Sequence, residues 1–300
     1  MTLLELIQQV CDELMISRPQ AVVSSQDPQV RQLYALLNRL GTDICRQYDW
    51  QRLNREHILT TVAITQTGDS TNGSNVITNI PDVTGITTQF GVNGPGTTPF
   101  AQVTSVGVNS VTLNMPMTAD QTGASFEFSQ VNYNLPSDWL KQIPQTEWDR
   151  TNRWPLIGPE SAQSWQSFKS GIVYAGPRQR FRIYENTIAV NPPPPNNLMF
   201  AFEYISNGWV INSVNQRLTK FTADTDTAIF PDSLLITGLK SQWKQAKGLD
   251  ASFDLGEFRM LMEAMKSQDH SAPKLSLSPY CGTVLLSEWN LPDGNFPSGV

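Results

Sequence analysis

From Glu56 to Asp138 the chain contains no lysine, no arginine and no tryptophan. The same stretch carries six acidic residues, Glu56, Asp69, Asp82, Asp120, Glu127 and Asp138. The whole sequence has 27 acidic and 21 basic residues, so the remainder is charge-balanced and the net charge of −6 belongs to this one region. The remainder also holds all eight tryptophans. Two kinds of sequence share one chain, and the pattern predicts one module inserted into another.

Within the basic-residue desert, short runs such as Asn75-Val76-Ile77, Gln102–Val106, Ser110–Leu113 and Ser125–Phe128 are separated by Gly, Asn and Pro turns. They read as strands. The run from Val106 to Val111 predicts a tight hairpin, and residues 66–129 are expected to form a small all-β module. Ahead of it, Ile58, Thr60, Val62 and Ile64 alternate with their neighbours, as in a half-buried strand.

The flanking sequence has helical periodicity. Thr2 and Glu5 fit a capping box, with Leu3, Leu6, Ile7, Val10 and Leu14 forming one face of a helix over 2–15. Asp27-Pro28 supplies an N-cap and a first-turn proline for a longer helix lined by Val30, Leu33, Tyr34, Leu37, Ile44 and Tyr48. Ser137 or Asp138 is expected to cap a short helical segment, and Gly158-Pro159-Glu160 to open another through Phe168. Strands are expected at 172–174, 179–184, 187–190 and 199–205, with Glu185-Asn186 as a two-residue turn and Pro192–Pro195 as a stiff polyproline connection. Pro231 opens a helix with Leu235, Ile236, Leu239, Trp243 and Ala246 on its apolar face, and Asp254 with Glu257 suits the cap of a last helix. The expected fold class is α+β: a discontinuous helical and β-hairpin body over 1–65 and 130–270, the inserted module, and an extended C-terminal arm over 271–300.

The chemistry that this sequence can support is narrow. Cys11, Cys45 and Cys281 are far apart, and only His57 and His270 are available, so the expected state is three reduced thiols and no cofactor or metal centre. No P-loop, dinucleotide-binding glycine pattern, nucleophile elbow or metalloprotease motif occurs. Glu147 and Asp149 form a carboxylate pair, but their arginine neighbours favour ion pairing over glycoside hydrolysis, and no enzyme is expected. No apolar run approaches the length of a membrane span, and the N-terminus lacks a basic flank, so the chain is expected to be made and kept in the cytosol.

Three groups are candidate interface residues. Arg150 and Arg153 lie between Trp148 and Trp154, a composition that suits protein contacts. Arg178, Arg180 and Arg182 fall on one face of a strand, and Lys240, Lys244 and Lys247 form a stripe on a helix. Each basic group reads either as a solvated face or as a contact for an acidic partner. In the arm, Leu285, Leu286, Trp289 and Phe296 are apolar enough to require a surface.

The order of certain segments carries a resemblance. Ser17-Arg18-Pro19, Asp27-Pro28-Gln29-Val30, Tyr48-Asp49-Trp50, the block from Trp148 to Pro159, Gly176–Ile183, Phe202–Ser206 and Trp243–Gly248 together resemble the head-to-tail adaptor proteins of short-tailed bacteriophages. The resemblance covers about 1–65 and 130–270. It implies a structural virion protein of the tail or neck, made in the host cytoplasm. Many copies, usually a dodecamer, would form a ring that binds portal, continues the DNA channel without reading DNA sequence, and meets tail nozzle or fibre proteins. The inserted module departs from the shortest members of that family. An alternative is a tail-associated protein whose module recognises a glycan or a fibre, though the sequence offers it no aromatic platform. A cell-wall hydrolase is a third, weaker reading.

Overall fold

A computed structural model describes residues 1–170 and 178–269. These residues form a mixed α+β protein, as expected from the sequence. In chain order they comprise α1 (Leu3–Glu13), α2 (Pro28–Gln47), β1 (Asn54–Thr60), β2 (Ala63–Ser70), β3 (Val76–Thr78), β4 (Phe90–Asn93), β5 (Val103–Val106), β6 (Val111–Leu113), β7 (Gln121–Gln130) and β8 (Asn132–Asn134). There follow β9 (Trp139–Gln142), β10 (Trp148–Asp149), β11 (Trp154–Pro155), α3 (Ala162–Ser170), β12 (Arg180–Tyr184), β13 (Thr187–Asn191) and β14 (Met199–Ser206). The last elements are β15 (Val210–Ile211), β16 (Arg217–Leu218), β17 (Thr227–Ala228), α4 (Asp232–Ala246) and α5 (Ser252–Asp269).

The chain divides into two compact units. The first, built from 1–55, 137–143 and 203–269, is mainly helical. Its α1 has the capping box that the sequence indicates, with Thr2 Oγ1 accepting from Glu5 N and Glu5 Oε2 accepting from Thr2 N. Asp27 caps α2 by accepting from Gln29 N at 2.8 Å. Their apolar faces meet around Trp50, Trp209, Phe221 and Phe230, all essentially solvent-free. An α-carbon without a side chain is required where α2 crosses Trp209, because a Cβ on Gly41 would lie 2.1 Å from the indole. Helix α4 is more central than its expected amphipathic face implied. Residues 234–239 are buried all round, whereas Ala246 is exposed and Trp243 only half-buried.

Helix α5 begins at Ser252, earlier than expected, so Asp254 lies inside the first turn and is not its cap. The reason is non-local: Asp254 is 2 % exposed and its carboxylate receives two lysines of α4. The short helix expected after Ser137 is a strand instead. β9 pairs with the 204–206 part of β14, and Asp138 is engaged by distant side chains and not by the amides after it.

The second unit contains 56–136 and 144–202. Strands β2–β7 form a six-stranded antiparallel sheet in the order β4-β7-β2-β3-β6-β5. A bridge between Gly91 and Gln102 brings the two edges together, so the sheet curls around its own core. Phe126 and Phe128 point inward from β7, with Glu127 between them facing out, and Ile77, Val103, Val111 and Leu113 complete the interior. The expected 106–111 hairpin is present, Val106 pairing with Val111 and Gly107 N donating to Ser110 O. The phase just before β2 is the opposite of the expected one: Ile58 and Val62 face solvent, while Leu59 and Thr61 are buried. A hydroxyl decides it, since Thr61 Oγ1 donates to Pro195 O at 2.6 Å and accepts from Leu198 N at 2.8 Å. A second sheet runs β12-β13-β8, its β12–β13 hairpin turning at Glu185-Asn186 as expected. Helix α3 starts at Ala162 and not at Pro159, because Ser161 Oγ accepts from Ser164 N while Glu160 is held by Arg180.

Candidate interaction surfaces

The block from Trp148 to Pro155 is a two-strand hairpin whose loop is fixed from below. Asp149 is 1 % exposed, and its carboxylate accepts from Thr151 N (2.9 Å), Asn152 N (3.1 Å) and Asn152 Nδ2 (2.7 Å). With most of its acceptor positions turned to its own loop, Asp149 does not form the local ion pair with the neighbouring arginines that was expected. Arg150 pairs with Glu56 instead, both about half-exposed. Arg153 is exposed and has a left-handed backbone, φ 59°. Both flanking tryptophans are half-buried. Glu147 is buried, and desolvation pushes its carboxyl above the ordinary range.

The β12 arginines have the expected phase. Phe181 is fully buried, and Arg180 and Arg182 lie on the other face, half-buried, with Arg178 half-buried just ahead of the strand. Their charges are largely engaged within the unit. Arg180 binds Glu160 at 2.8 Å and stacks over Phe168 with 5.2 Å to the ring centre, while Arg182 lies 5.8 Å from the centre of Tyr184. Arg180 is thus braced against Glu160 and Phe168.

The lysine stripe of α4 is also engaged, but by acids. Lys240 binds Glu13 at 2.7 Å and approaches Asp254 at 3.6 Å, and Lys244 binds Asp254 directly. The hydrogen bond between them lowers the pKa of Glu13 and raises that of Lys240. Lys247 packs over Trp243, 5.6 Å from its centre. Two of the three lysines thus join α4 to α1 and α5. Leu285, Leu286, Trp289 and Phe296, the arm candidates, lie outside the described residues.

The sequence did not single out a polar cluster that centres on Asp138. Its carboxylate accepts from Arg55 Nη1 (2.8 Å), Tyr204 Oη (2.8 Å) and Ser206 Oγ (2.7 Å). Burial by itself would raise its pKa, but the donors from Ser206, Tyr204 and Arg55 outweigh burial and hold it below the ordinary value. Burial also raises the Tyr204 phenol and lowers nearby Arg217. Three of the carboxylate's roughly four acceptor positions are filled by donors that stay protonated at neutral pH, so the group serves as an anchor. Only the recurrence of Tyr and Ser two apart in β14, on one strand face, could have pointed to it.

Among the described residues no group of three or more His, Cys, Asp or Glu is placed to hold a metal ion, and no helix is long and apolar enough to cross a membrane. Cys11 and Cys45 are buried, and desolvation pushes their thiols up to about 11 and about 12. No family model matches the chain, and no curated protein matches it.

Proposed function

We propose that the chain is a structural subunit of a phage head-to-tail connector: copies assemble into a ring, dodecameric in the fullest form of the proposal, between portal and tail nozzle or fibre proteins. Double-stranded DNA would pass through the lumen without sequence-specific binding, and the protein would act as scaffold and not as enzyme. It would reside in the neck of the virion after synthesis in the host cytoplasm, with no insertion into a membrane. The resemblance in segment order carries this reading. The loop under Arg150 and Arg153 supports it further, because a ring subunit needs side chains presented on fixed backbone, and buried Asp149 fixes that loop. The body at 1–65 and 130–270, the module at 66–129 and the arm at 271–300 would then be the working divisions of the subunit.

The test is to mix the purified full-length chain with the portal protein of the same virus and image the product by electron microscopy. Rings capping portal are expected. A chain that stays monomeric beside intact portal overturns the reading.

One observation favours the alternative in which the module recognises a glycan. A cleft of ≈ 110 Å³ between β4 and the loop after it is lined by Phe100, Pro99, Pro192 and Pro193 with Asn93 and Thr98. It supplies an aromatic surface that the sequence did not offer: the Phe100 ring lines the cleft while meeting Phe168 edge-on, 5.4 Å between ring centres. Binding of host surface polysaccharide, abolished by Phe100→Ala, is the result this alternative requires.

A further inference from the structure

The aromatic surface of the Phe100 cleft continues beyond Phe100. The Phe168 ring of α3, which Phe100 meets edge-on, lies 6.2 Å from Trp165 between ring centres. Cations sit on both of these rings: Arg180 stacks over Phe168 at 5.2 Å, and the Lys169 ammonium lies 5.8 Å from the centre of Trp165. An apolar cleft thus leads into a row of aromatic rings, and the row carries positive charge.

Glu160 neutralises Arg180, but no acid neutralises Lys169 or Arg182. Among the described residues neither forms an ion pair, and Glu185, in the turn past Tyr184, pairs with neither. The sequence between Ser170 and Arg178, Gly-Ile-Val-Tyr-Ala-Gly-Pro, adds no acid. Lys169 is half-buried, and burial first, then the charge of Arg182, lowers its pKa. Two cations that act on one another without an acid lose solvation and repel, and an anion beside them offsets both costs.

We propose that the cleft and these two cations form one site for an acidic polysaccharide, a chain of sugars bearing spaced carboxylates. Sugar rings pack on Phe100, Pro99, Pro192 and Pro193, and the carboxylates face Lys169 and Arg182. The exposed Asn93 side chain, which makes no hydrogen bond among the described residues, meets a sugar hydroxyl. Single-stranded DNA also seeks aromatic rings and cations, but it carries a phosphate at every nucleotide. The stretch from Glu56 to Asp138, which supplies one wall of the cleft, has six acids and no lysine or arginine to meet such a density of charge. The proposal rests on the glycan reading of the cleft and adds to it the charge of the ligand.

The test measures binding of the full-length chain to polygalacturonate, which carries a carboxylate on each sugar, to dextran, which carries none, and to oligothymidylate. Polygalacturonate is expected to bind at least about tenfold more tightly than dextran, as one or two charge-assisted contacts supply. Lys169→Met combined with Arg182→Gln should remove that preference and leave the weaker dextran binding in place. Arg31→Gln combined with Lys220→Met, which removes the same charge from exposed positions of the helical unit, should preserve it. Equal binding of polygalacturonate and dextran to the unaltered chain overturns this proposal and leaves the glycan reading standing, whereas binding of neither overturns both. Tighter binding of oligothymidylate than of polygalacturonate, or a preference lost equally in the two double variants, also overturns it.

Discussion

The helical unit and the curled six-stranded sheet differ in what their carboxylates hold: both cap backbone amides, but only the helical unit also sets acids against basic side chains of other elements. In the helical unit acids join separate elements: Asp254 holds Lys240 and Lys244 of the preceding helix, and Asp138 holds Arg55, Tyr204 and Ser206, more than sixty residues away. In the sheet no lysine or arginine is available, and acids work on backbone amides in exposed turns. Asp69 accepts from Gly123 N at 2.7 Å, Asp82 from Thr84 N at 2.8 Å and Asp120 from Asn72 N at 2.8 Å. The basic-residue desert is therefore a different means of holding a fold: apolar interior and turn geometry serve where the helical unit uses charge.

The comparison breaks most visibly at the interior of the sheet. Phe126 is fully buried against Ile77, Val111 and Phe128, and Phe126→Ala should cost about 4 kcal/mol, transfer plus cavity. Amide exchange in β2 and β7 reports it directly, and unchanged protection there would refute an interior-held sheet. Next in size is Gly41→Ala, which drives a methyl into Trp209. About 2–3 kcal/mol of destabilisation is expected from overpacking, read as a lower denaturant midpoint for α2 amides.

Charge removal ranks third and should act mainly on the helical unit. Asp138→Ala leaves Arg55, Tyr204 and Ser206 without their shared acceptor, at a cost of about 2 kcal/mol. The pH dependence has a definite sign. Asp138 has a folded pKa below its unfolded value of about 3.9, so its contribution is fully present above that pH and is lost as pH falls through the folded pKa. The difference between the original chain and Asp138→Ala in denaturant melts should therefore be constant near neutrality and shrink below about pH 4.

What the sequence revealed and what it hid follow the same divide. Local signals were legible: the Thr2–Glu5 capping box, Asp27-Pro28, the 106–111 hairpin and the strand at Ser125–Phe128 all depend on neighbours within a few residues. The misread elements were set by distant partners. Asp138 looked like a helix cap, but its donors include Tyr204 and Ser206, more than sixty residues on. Asp254 looked like a cap until Lys240 and Lys244 claimed it, and Ile58 and Val62 faced outward because Thr61 is bonded to 195–198. Basic residues on the candidate surfaces were correctly placed on their faces, yet pattern alone could not show that Glu160, Glu13 and Asp254 already hold Arg180, Lys240 and Lys244.

The smallest effect is the sharpest test of the divide. Asp69 donates nothing and bridges no cation; it accepts from Gly123 N and Asn79 Nδ2 on an exposed turn, and those hydrogen bonds, Gly123 first, lower its pKa. Both donors lie where water can replace the carboxylate, so Asp69→Ala exchanges a protein acceptor for a solvent one. Gly123 has φ 61°, a conformation that glycine holds without help, so the turn keeps its shape. The expected result is an unchanged melting transition for the sheet, with faster exchange confined to the Gly123 amide. A drop comparable to that of Asp138→Ala would mean that acids in the two units do the same work, and the division between them would fail.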